Sequence, residues 1–274
     1  MKNNYNFKLI KTAVIVICLF FAVTIVIYTA KITIWKLENK KTSKQITEIS
    51  DSIKVIENID DANAEKINPP QNDLNDPYWK YINENLINVD LSKLLKVNNE
   101  TKGWIQISGT NVNYPFVQTN NNDFYLNHSF DKNKNSAGWV FLDYRNNIDK
   151  NDSNTILYAH GRLDNTMFGS IRSILNSEWL ENSENFIIKM VTDKEATLWQ
   201  VFSVYQIPTT SDYLQIEFSN SNEFENFLEL IINRSSYDFK TTLSSNDQII
   251  TLSTCYNKAD KIVVHAKLIK REIK

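Results

Sequence analysis

Residues Asp247–Cys255 read DQIITLSTC and, after a connection of five residues, Lys261–Ile269 read KIVVHAKLI. Both segments are rich in Ile, Val, Leu and Thr, and the connection YNKAD between them is polar. This composition predicts two neighbouring β-strands at the end of a mostly β domain. Because the first strand ends at Cys255, its thiol is expected to be held rigidly where a strand meets an exposed loop.

Six further segments upstream have the same composition and bring the predicted strands to eight. Clusters of Asn, Asp, Gly and Ser separate them, as is typical of turns. Eight strands with few long helices favour a closed or nearly closed β-barrel. In chain order, the six are Gly103–Ile107, Val112–Gln118, Gly138–Tyr144, Asn154–His160, Asn185–Thr192 and Ala196–Ile207.

Two helical segments interrupt the predicted strands. Thr166–Leu175 follows the fourth strand, and Asn222–Arg234 lies between the sixth and the seventh. The second segment is amphipathic, and Asn222 with Glu225 is predicted to form a capping box at its start. Its apolar face consists of Phe224, Phe227, Leu228, Ile231 and Ile232.

The N-terminus has a different character. Thr12–Ala30 reads TAVIVICLFFAVTIVIYTA and contains no charged residue, so it is long enough to cross a bilayer as a helix. No convincing small-x-small cleavage site follows Tyr28, which favours an uncleaved anchor over a signal peptide. Lysines flank the segment on both sides, so the positive-inside rule does not decide its orientation.

Between the anchor and the strands, an isoleucine stripe predicts a juxtamembrane stalk helix. A polar, proline-bearing break at Asn68–Asp73 is the best candidate for a linker, and a second short helix is expected after it. We therefore predict an anchor over residues 1–31, a helical stalk and linker over 32–77, and a catalytic barrel domain over 78–274. The stripe consists of Ile46, Ile49, Ile53, Ile56 and Ile59, and the short helix contains Tyr78, Trp79, Ile82 and Leu86.

The composition excludes some classes of function. The formal net charge is −2, so the chain has no electrostatic footprint for nucleic acid, and no nucleic-acid partner is expected. One of the two cysteines, Cys18, lies in the apolar N-terminal run. An exported domain with the single thiol Cys255 cannot form an internal disulfide. That thiol is therefore reactive, paired with another chain or a buried filler.

A catalytic thiol needs a base or a cationic neighbour, because the thiolate is the nucleophile. Of the three histidines, His160 ends the fourth predicted strand, so it can reach the same barrel rim as Cys255. His265 is expected to be a strand-surface residue, and His128 a loop residue. None of these side chains has the close spacing of a structural zinc site, and no metal or other cofactor is expected.

Three sets of motifs carry a specific resemblance to a known family. They are Thr251-Leu252-Ser253-Thr254-Cys255, which matches a TLxTC strand; Tyr158-Ala159-His160 with Met167-Phe168-Gly169; and Gly103-Trp104-Ile105 with Gly109-Thr110 and Tyr114-Pro115. Over about residues 75–270 the chain resembles the sortases, membrane-anchored cysteine transpeptidases of Gram-positive bacteria. The predicted helices before Gly103 and at Asn222–Arg234 make it most similar to class B.

The resemblance implies an eight-stranded barrel with a Cys-His-Arg site. Cys255 would attack a threonine carbonyl in the C-terminal sorting signal of a secreted protein, and His160 would protonate the departing amine. The acyl group would then pass to an amino group of a peptidoglycan precursor or of another protein. The catalytic domain would lie outside the cell membrane. We predict that Tyr158, Ser253 and Thr254 contact the substrate.

One position departs from the family pattern. Where the family has an arginine before the last apolar strand, this chain has Lys261. A lysine supplies charge to the reacting carbonyl but lacks the planar fork of an arginine. Arg162, two residues after His160, is the alternative source of this positive charge.

Two other functions remain open at the level of sequence. A membrane-tethered cysteine protease would use the same nucleophile and pass the acyl group to water. A catalytically impaired, sortase-like binding or scaffold protein would explain the lysine at position 261. The intact pair of Cys255 and His160 argues against the scaffold.

Overall fold

A computed structural model describes residues 2–57, 61–148, 150 and 152–274, with side chains from residue 10 onward. The chain divides into two compact units, Met1–Gln45 and Ile46–Lys274. A long helix, α1, covers Lys2–Ser52. Its stretch from Ile10 to Ser52 contains a window of mean hydropathy 2.8, long and apolar enough to cross a membrane.

Within the described residues, eight strands form the barrel of the second unit. They are β1 Thr101–Ile107, β2 Asn113–Val117, β3 Phe141–Leu142, β4 Asn154–Tyr158, β5 Ile187–Thr192, β6 Glu195–Pro208, β7 Ile249–Cys255 and β8 Asp260–Ile273. Their order around the sheet is β7-β4-β3-β2-β1-β5-β6-β8, and pairing of β7 with β8 closes it. The predicted eight-stranded barrel is confirmed.

The third strand is much shorter than the predicted segment Gly138–Tyr144. Gly138 has a φ of 61°, a left-handed conformation that places it in a turn rather than a strand. At the other end, the Asp143 side chain accepts a hydrogen bond from the backbone N–H of Arg145 and starts a second turn. Only Phe141 and Leu142 between these turns have strand geometry.

Four further α-helices lie in the part of the chain that the structure describes. They are α2 Tyr78–Tyr81, α3 Ser92–Val97, α4 Ser177–Glu181 and α5 Ser221–Asn233. The predicted segment Thr166–Leu175 is a 3₁₀ helix over Gly169–Leu175. Helix α5 is the predicted amphipathic helix, but the capping pair is wrong by two residues. Asn220 is the N-cap, and its side chain accepts from the backbone N–H of Glu223.

The isoleucine stripe does not form a separate stalk along its whole length. Ile46 and Ile49 pack against the core of the second unit, and Ile53 is buried in it. Ile56 belongs to a two-residue strand that pairs with Asn88–Val89, and Ile59 lies outside the described residues. The compact unit therefore begins at Ile46, well before the boundary expected at residue 78.

Alternation along β7 divides its side chains between two apolar clusters. Ile250 and Leu252 belong to the main core, whereas Ile249 lies in a second cluster that includes the apolar face of α5. The side chains on the Ile249 side of β7 therefore include Thr251, Ser253 and Cys255. The second cluster consists of Phe202, Tyr205, Tyr213, Phe224, Phe227, Leu228, Ile231, Ile249 and Val263.

The prediction that His265 lies on a strand surface is wrong. The residue is fully buried, because its side of β8 is covered. Tyr205 Oη lies 2.8 Å from Nε2, and Thr251 Oγ1, which donates to Asn154, lies 2.9 Å from Nδ1. Burial, helped by the positive charge of Arg234, lowers the pKa of His265 to about 3. The ring is therefore neutral and structural.

Candidate active site

The ends of β4 and β7 meet because these two strands are parallel. Their register pairs Ser253 with Tyr158. His160 and Cys255 each follow two residues later, so both leave the sheet at the same edge. This is the shared rim that the sequence predicted, and the parallel pairing is its physical cause.

A tight hairpin brings Lys261 to the thiol. Cys255 and Lys261 are directly opposite residues of the antiparallel pair β7–β8. Side chains at such positions are close neighbours on one face. The Nζ of Lys261 donates a hydrogen bond of 3.0 Å to Sγ of Cys255. The hairpin is held by Asn257, whose Oδ1 accepts from the N–H groups of Ala259 and Asp260.

Gly161 lets the two strand ends approach. A Cβ atom at this position would lie 2.0 Å from the carbonyl oxygen of Cys255 and 3.0 Å from Oγ1 of Thr254. A contact of 2.0 Å with backbone cannot be relieved by a side-chain rotation. Any other residue at position 161 would therefore move the strand end that carries the thiol.

The imidazole of His160 is oriented by a backbone carbonyl. Its Nε2 lies 2.7 Å from the oxygen of Leu126, so Nε2 carries the proton and donates. The carbonyl of His160 accepts from the N–H of Phe168, which fixes the backbone beyond the strand. Nδ1 is then the ring nitrogen that Leu126 leaves free for other contacts.

One pocket contains all six site residues predicted from the sequence. It has a volume of about 680 Å³. Its lining is more apolar than polar. The lining residues are Asn122, Leu126, Phe141, Tyr158, Ala159, His160, Thr209, Thr210, Ser211, Tyr213, Leu214, Ser253, Thr254, Cys255 and Lys261.

Ser253 and Thr254 are already hydrogen-bonded within the protein. The hydroxyl of Ser253 lies 3.0 Å from that of Tyr213, in the segment between β6 and α5. The hydroxyl of Thr254 donates to the carbonyl of Ala159, at 2.9 Å. Thr254 thus ties the end of β7 to the residue before His160, which gives it a structural task beside any contact with substrate.

Arg162 is paired with residues that do not line this pocket. Its guanidinium forms an ion pair of 2.9 Å with Asp164 and donates to Thr166. Burial would raise the pKa of Asp164, but the hydrogen bonds from Arg162 and Thr166 outweigh burial and hold that pKa below its ordinary value. Arg162 is not among the residues that line the described pocket. The geometry therefore favours Lys261 as the cation of the site.

His128 has the predicted loop role. Its ring stacks on Phe124 at 3.9 Å, and Nδ1 lies 2.8 Å from the carbonyl oxygen of the same residue. Among the side chains that the structure describes, no three His, Cys, Asp or Glu residues are grouped as metal ligands.

Sequence reasoning missed the segment Thr209–Leu214 and the residue Asn122 as pocket walls. Neither has a strand or helix pattern, and loops reveal their neighbours only when the chain is folded. It also missed Asp143, which lies behind Tyr158. The polar run Asp143-Tyr144-Arg145-Asn146-Asn147 directly after β3 was the available signal.

Comparisons with known proteins place this geometry in a family. The sortase domain model matches residues 105–269. Sortase B of Listeria monocytogenes is 34% identical over 187 residues, which cover 66% of this chain and 75% of that protein.

Two solved structures give the same result. The complex of Staphylococcus aureus sortase B with a substrate has a TM-score of 0.62 at 35% identity and covers 66% of this chain and 84% of that one. A sortase B complexed with triglycine has a TM-score of 0.62 at 35% identity and covers 66% of this chain and 85% of that one.

Proposed function

The chain belongs to the sortase family and is a cysteine transpeptidase most similar to class B, and we propose that it works through a thioester on Cys255. The observation that carries this assignment of residues is the contact of 3.0 Å between Nζ of Lys261 and Sγ of Cys255, inside the common pocket. An ammonium at this distance stabilises the thiolate, which is the nucleophilic form.

In the first step, the thiolate of Cys255 attacks the carbonyl carbon of a threonine in the sorting signal. The S–C bond forms, the amide C–N bond breaks, and the imidazolium form of His160 gives its Nδ1 proton to the departing amine. We propose that Lys261 donates one hydrogen bond to the oxygen on which negative charge develops.

In the second step, an amine replaces the thiol. His160 takes a proton from the incoming amino group, the new C–N bond forms, and the S–C bond breaks to regenerate Cys255. The substrate and triglycine complexes of the related sortases support a peptide donor and an amine acceptor. For this chain, we propose a secreted protein as donor, and a peptidoglycan precursor or a protein amine as acceptor.

A membrane-tethered protease and a sortase-like scaffold are less well supported. The relatives are named sortase B, and the pocket retains the thiol and the histidine together. A binding or scaffold role does not require the hydrogen bond between Lys261 and the thiol, whereas catalysis by Cys255 does.

The thioester is the feature to test. Full-length protein in detergent is mixed with pooled peptides that carry threonine before the scissile bond, and the intact mass is measured. We expect an acyl adduct that neutral hydroxylamine removes, and no adduct on the Cys255→Ala variant. An adduct retained by that variant would refute the assignment of the nucleophile.

The location of the enzyme is part of the same proposal. Helix α1 contains the apolar stretch predicted as the membrane anchor over residues 1–31. We propose that the donor and the acceptor both lie on the outer face of the membrane. The catalytic unit would therefore be extracellular. Protease treatment of intact protoplasts should remove it, and complete protection would contradict the proposed topology.

A further inference from the structure

The carboxylate of Asp143 lies behind the pocket wall and has no exposed surface. Tyr158 Oη donates to its Oδ2 at 2.8 Å, and Asn122 Nδ2 donates to the same oxygen at 3.0 Å. Arg145 makes a bidentate contact, in which Nε donates to Oδ1 at 2.9 Å and a terminal nitrogen donates to Oδ2 at 2.8 Å. We call this group, with the carbonyl of Leu214, the Asp143 clamp.

Each donor of the clamp either lines the pocket or is hydrogen-bonded to a residue that does. Tyr158 and Asn122 line it themselves. Arg145 does not, but its terminal nitrogen also donates to the carbonyl of Leu214, at 3.1 Å. Leu214 is 69 positions from Arg145 in sequence and lines the pocket from the segment between β6 and α5. One buried carboxylate therefore connects three walls of the pocket.

Electrostatics explains why an aspartate is needed here. A buried charge is costly unless it is paired and hydrogen-bonded. Burial would raise the pKa of Asp143, but the hydrogen bonds from Arg145 and Tyr158 outweigh burial and hold that pKa below its ordinary value. The group is ionised at neutral pH and accepts from every partner described above. An asparagine would direct its own N–H₂ group at one of these donors.

On the basis of the proposed function, we infer that Asp143 is a positioning residue for the sorting peptide. It sets the separation of the walls formed by Tyr158, Asn122 and Leu214, and so determines how tightly a peptide is held. Asp143 is buried and is not among the residues that line the described pocket, so it does not touch the reacting atoms. The thiol is positioned by β7 and Lys261. Loss of the clamp should weaken peptide binding and leave the reactivity of the thiol unchanged.

Two electrophiles separate these effects in the full-length protein. The first is a pool of tetrapeptides that end in a threonyl chloromethyl ketone, which must occupy the pocket before they alkylate Cys255. The second is iodoacetamide, which needs only the thiol. We expect Asp143→Asn to raise the half-saturating concentration of the peptide pool about tenfold, as for a lost charged hydrogen bond. The iodoacetamide rate should stay within about twofold of wild type.

Asp247→Asn is the matched control. Asp247 is also a buried aspartate that accepts from an asparagine side chain and a backbone N–H, but it precedes β7 at the end far from Cys255. It should leave both measurements unchanged. Arg145→Ala is a second variant. The side chain of Arg145 is half-exposed, so its removal should disturb folding less than a change at the buried Asp143. This variant should raise the half-saturating concentration of the peptide pool, as Asp143→Asn should.

Several results would overturn the inference. The first is an unchanged half-saturating concentration of the peptide pool in both Arg145→Ala and Asp143→Asn. The second is a fall of about tenfold in the iodoacetamide rate of Asp143→Asn. The third is a half-saturating concentration that rises as much in Asp247→Asn as in Asp143→Asn. The proposed function fails separately, if wild-type protein forms no hydroxylamine-sensitive thioester with peptides.

Discussion

Replacing Lys261 by alanine should slow the chemistry at Cys255 without closing the pocket. The ammonium is the cation that the structure places on the thiol, with Nζ 3.0 Å from Sγ. Its loss removes the hydrogen bond that Sγ accepts from Lys261. The substitution lies at the start of β8 and removes a partly exposed side chain, so the barrel should remain folded.

The size of the effect follows from the distance. Two unit charges 3.0 Å apart attract by about 1.4 kcal/mol at the dielectric constant of water and by about 5.5 kcal/mol at an effective value of about 20. Both side chains are partly exposed, so the lower part of this range applies. We expect a loss of about 2 kcal/mol, which is about a thirtyfold lower rate.

The assay is single-turnover acylation by the pooled threonyl peptides, with iodoacetamide alkylation at pH 7 as a measure of the thiolate. Lys261→Ala should lower both rates. Lys261→Arg should retain or raise acylation, because the guanidinium keeps the charge and adds a fork of donors. Arg162→Ala should change neither rate, because its guanidinium is engaged by Asp164 and Thr166.

Acylation and alkylation rates of Lys261→Ala equal to those of wild type would refute this reasoning. If Arg162→Ala then lowered the acylation rate, the role of the cation would move to Arg162. If neither variant changed the acylation rate, the site would work without a basic residue beside the thiol.

Three further predictions concern other parts of the barrel. His160→Ala should lower turnover about 10²–10⁴-fold, since it removes the proposed proton donor and acceptor. Gly161→Ala should reduce both thermal stability and thiol reactivity, because the new Cβ would lie 2.0 Å from the carbonyl oxygen of Cys255. The free energy of unfolding should fall as the pH drops from about 6.5 towards 3. The unfolded chain protonates His265 in this window, whereas burial lowers the pKa in the folded state to about 3. His265→Gln should flatten this dependence, as measured by urea unfolding at each pH.

Each of these predictions has a control variant or an outcome that would contradict it. His128→Ala, whose ring stacks on a loop phenylalanine, should leave turnover near wild type, and an equal loss there would argue against a special role for His160. Normal alkylation of Gly161→Ala would show that the strand ends tolerate separation. Equal pH slopes for wild type and His265→Gln would mean that other groups cause the acid sensitivity.

Much of this protein could be predicted from its sequence. The eight strands are segments of β-branched and aromatic residues bounded by turn formers, and each was found close to its predicted position. Cys255 and His160 were identified because each stands at the end of such a segment. The apolar N-terminal run was equally clear, since its length alone matches a bilayer. These features are local, and local composition determines them.

The tertiary structure decided what depends on distant parts of the chain. Whether Lys261 or Arg162 lies beside the thiol depends on a hairpin register and on the partners of Arg162, neither of which a motif encodes. His265 reads as a surface residue until α5 and β6 are packed around it. Asp143 acquires its place behind the pocket only when Arg145, Tyr158 and Leu214 meet. Burial and hydrogen bonding between remote residues are properties of the folded chain, and they determine which of its polar side chains can act together.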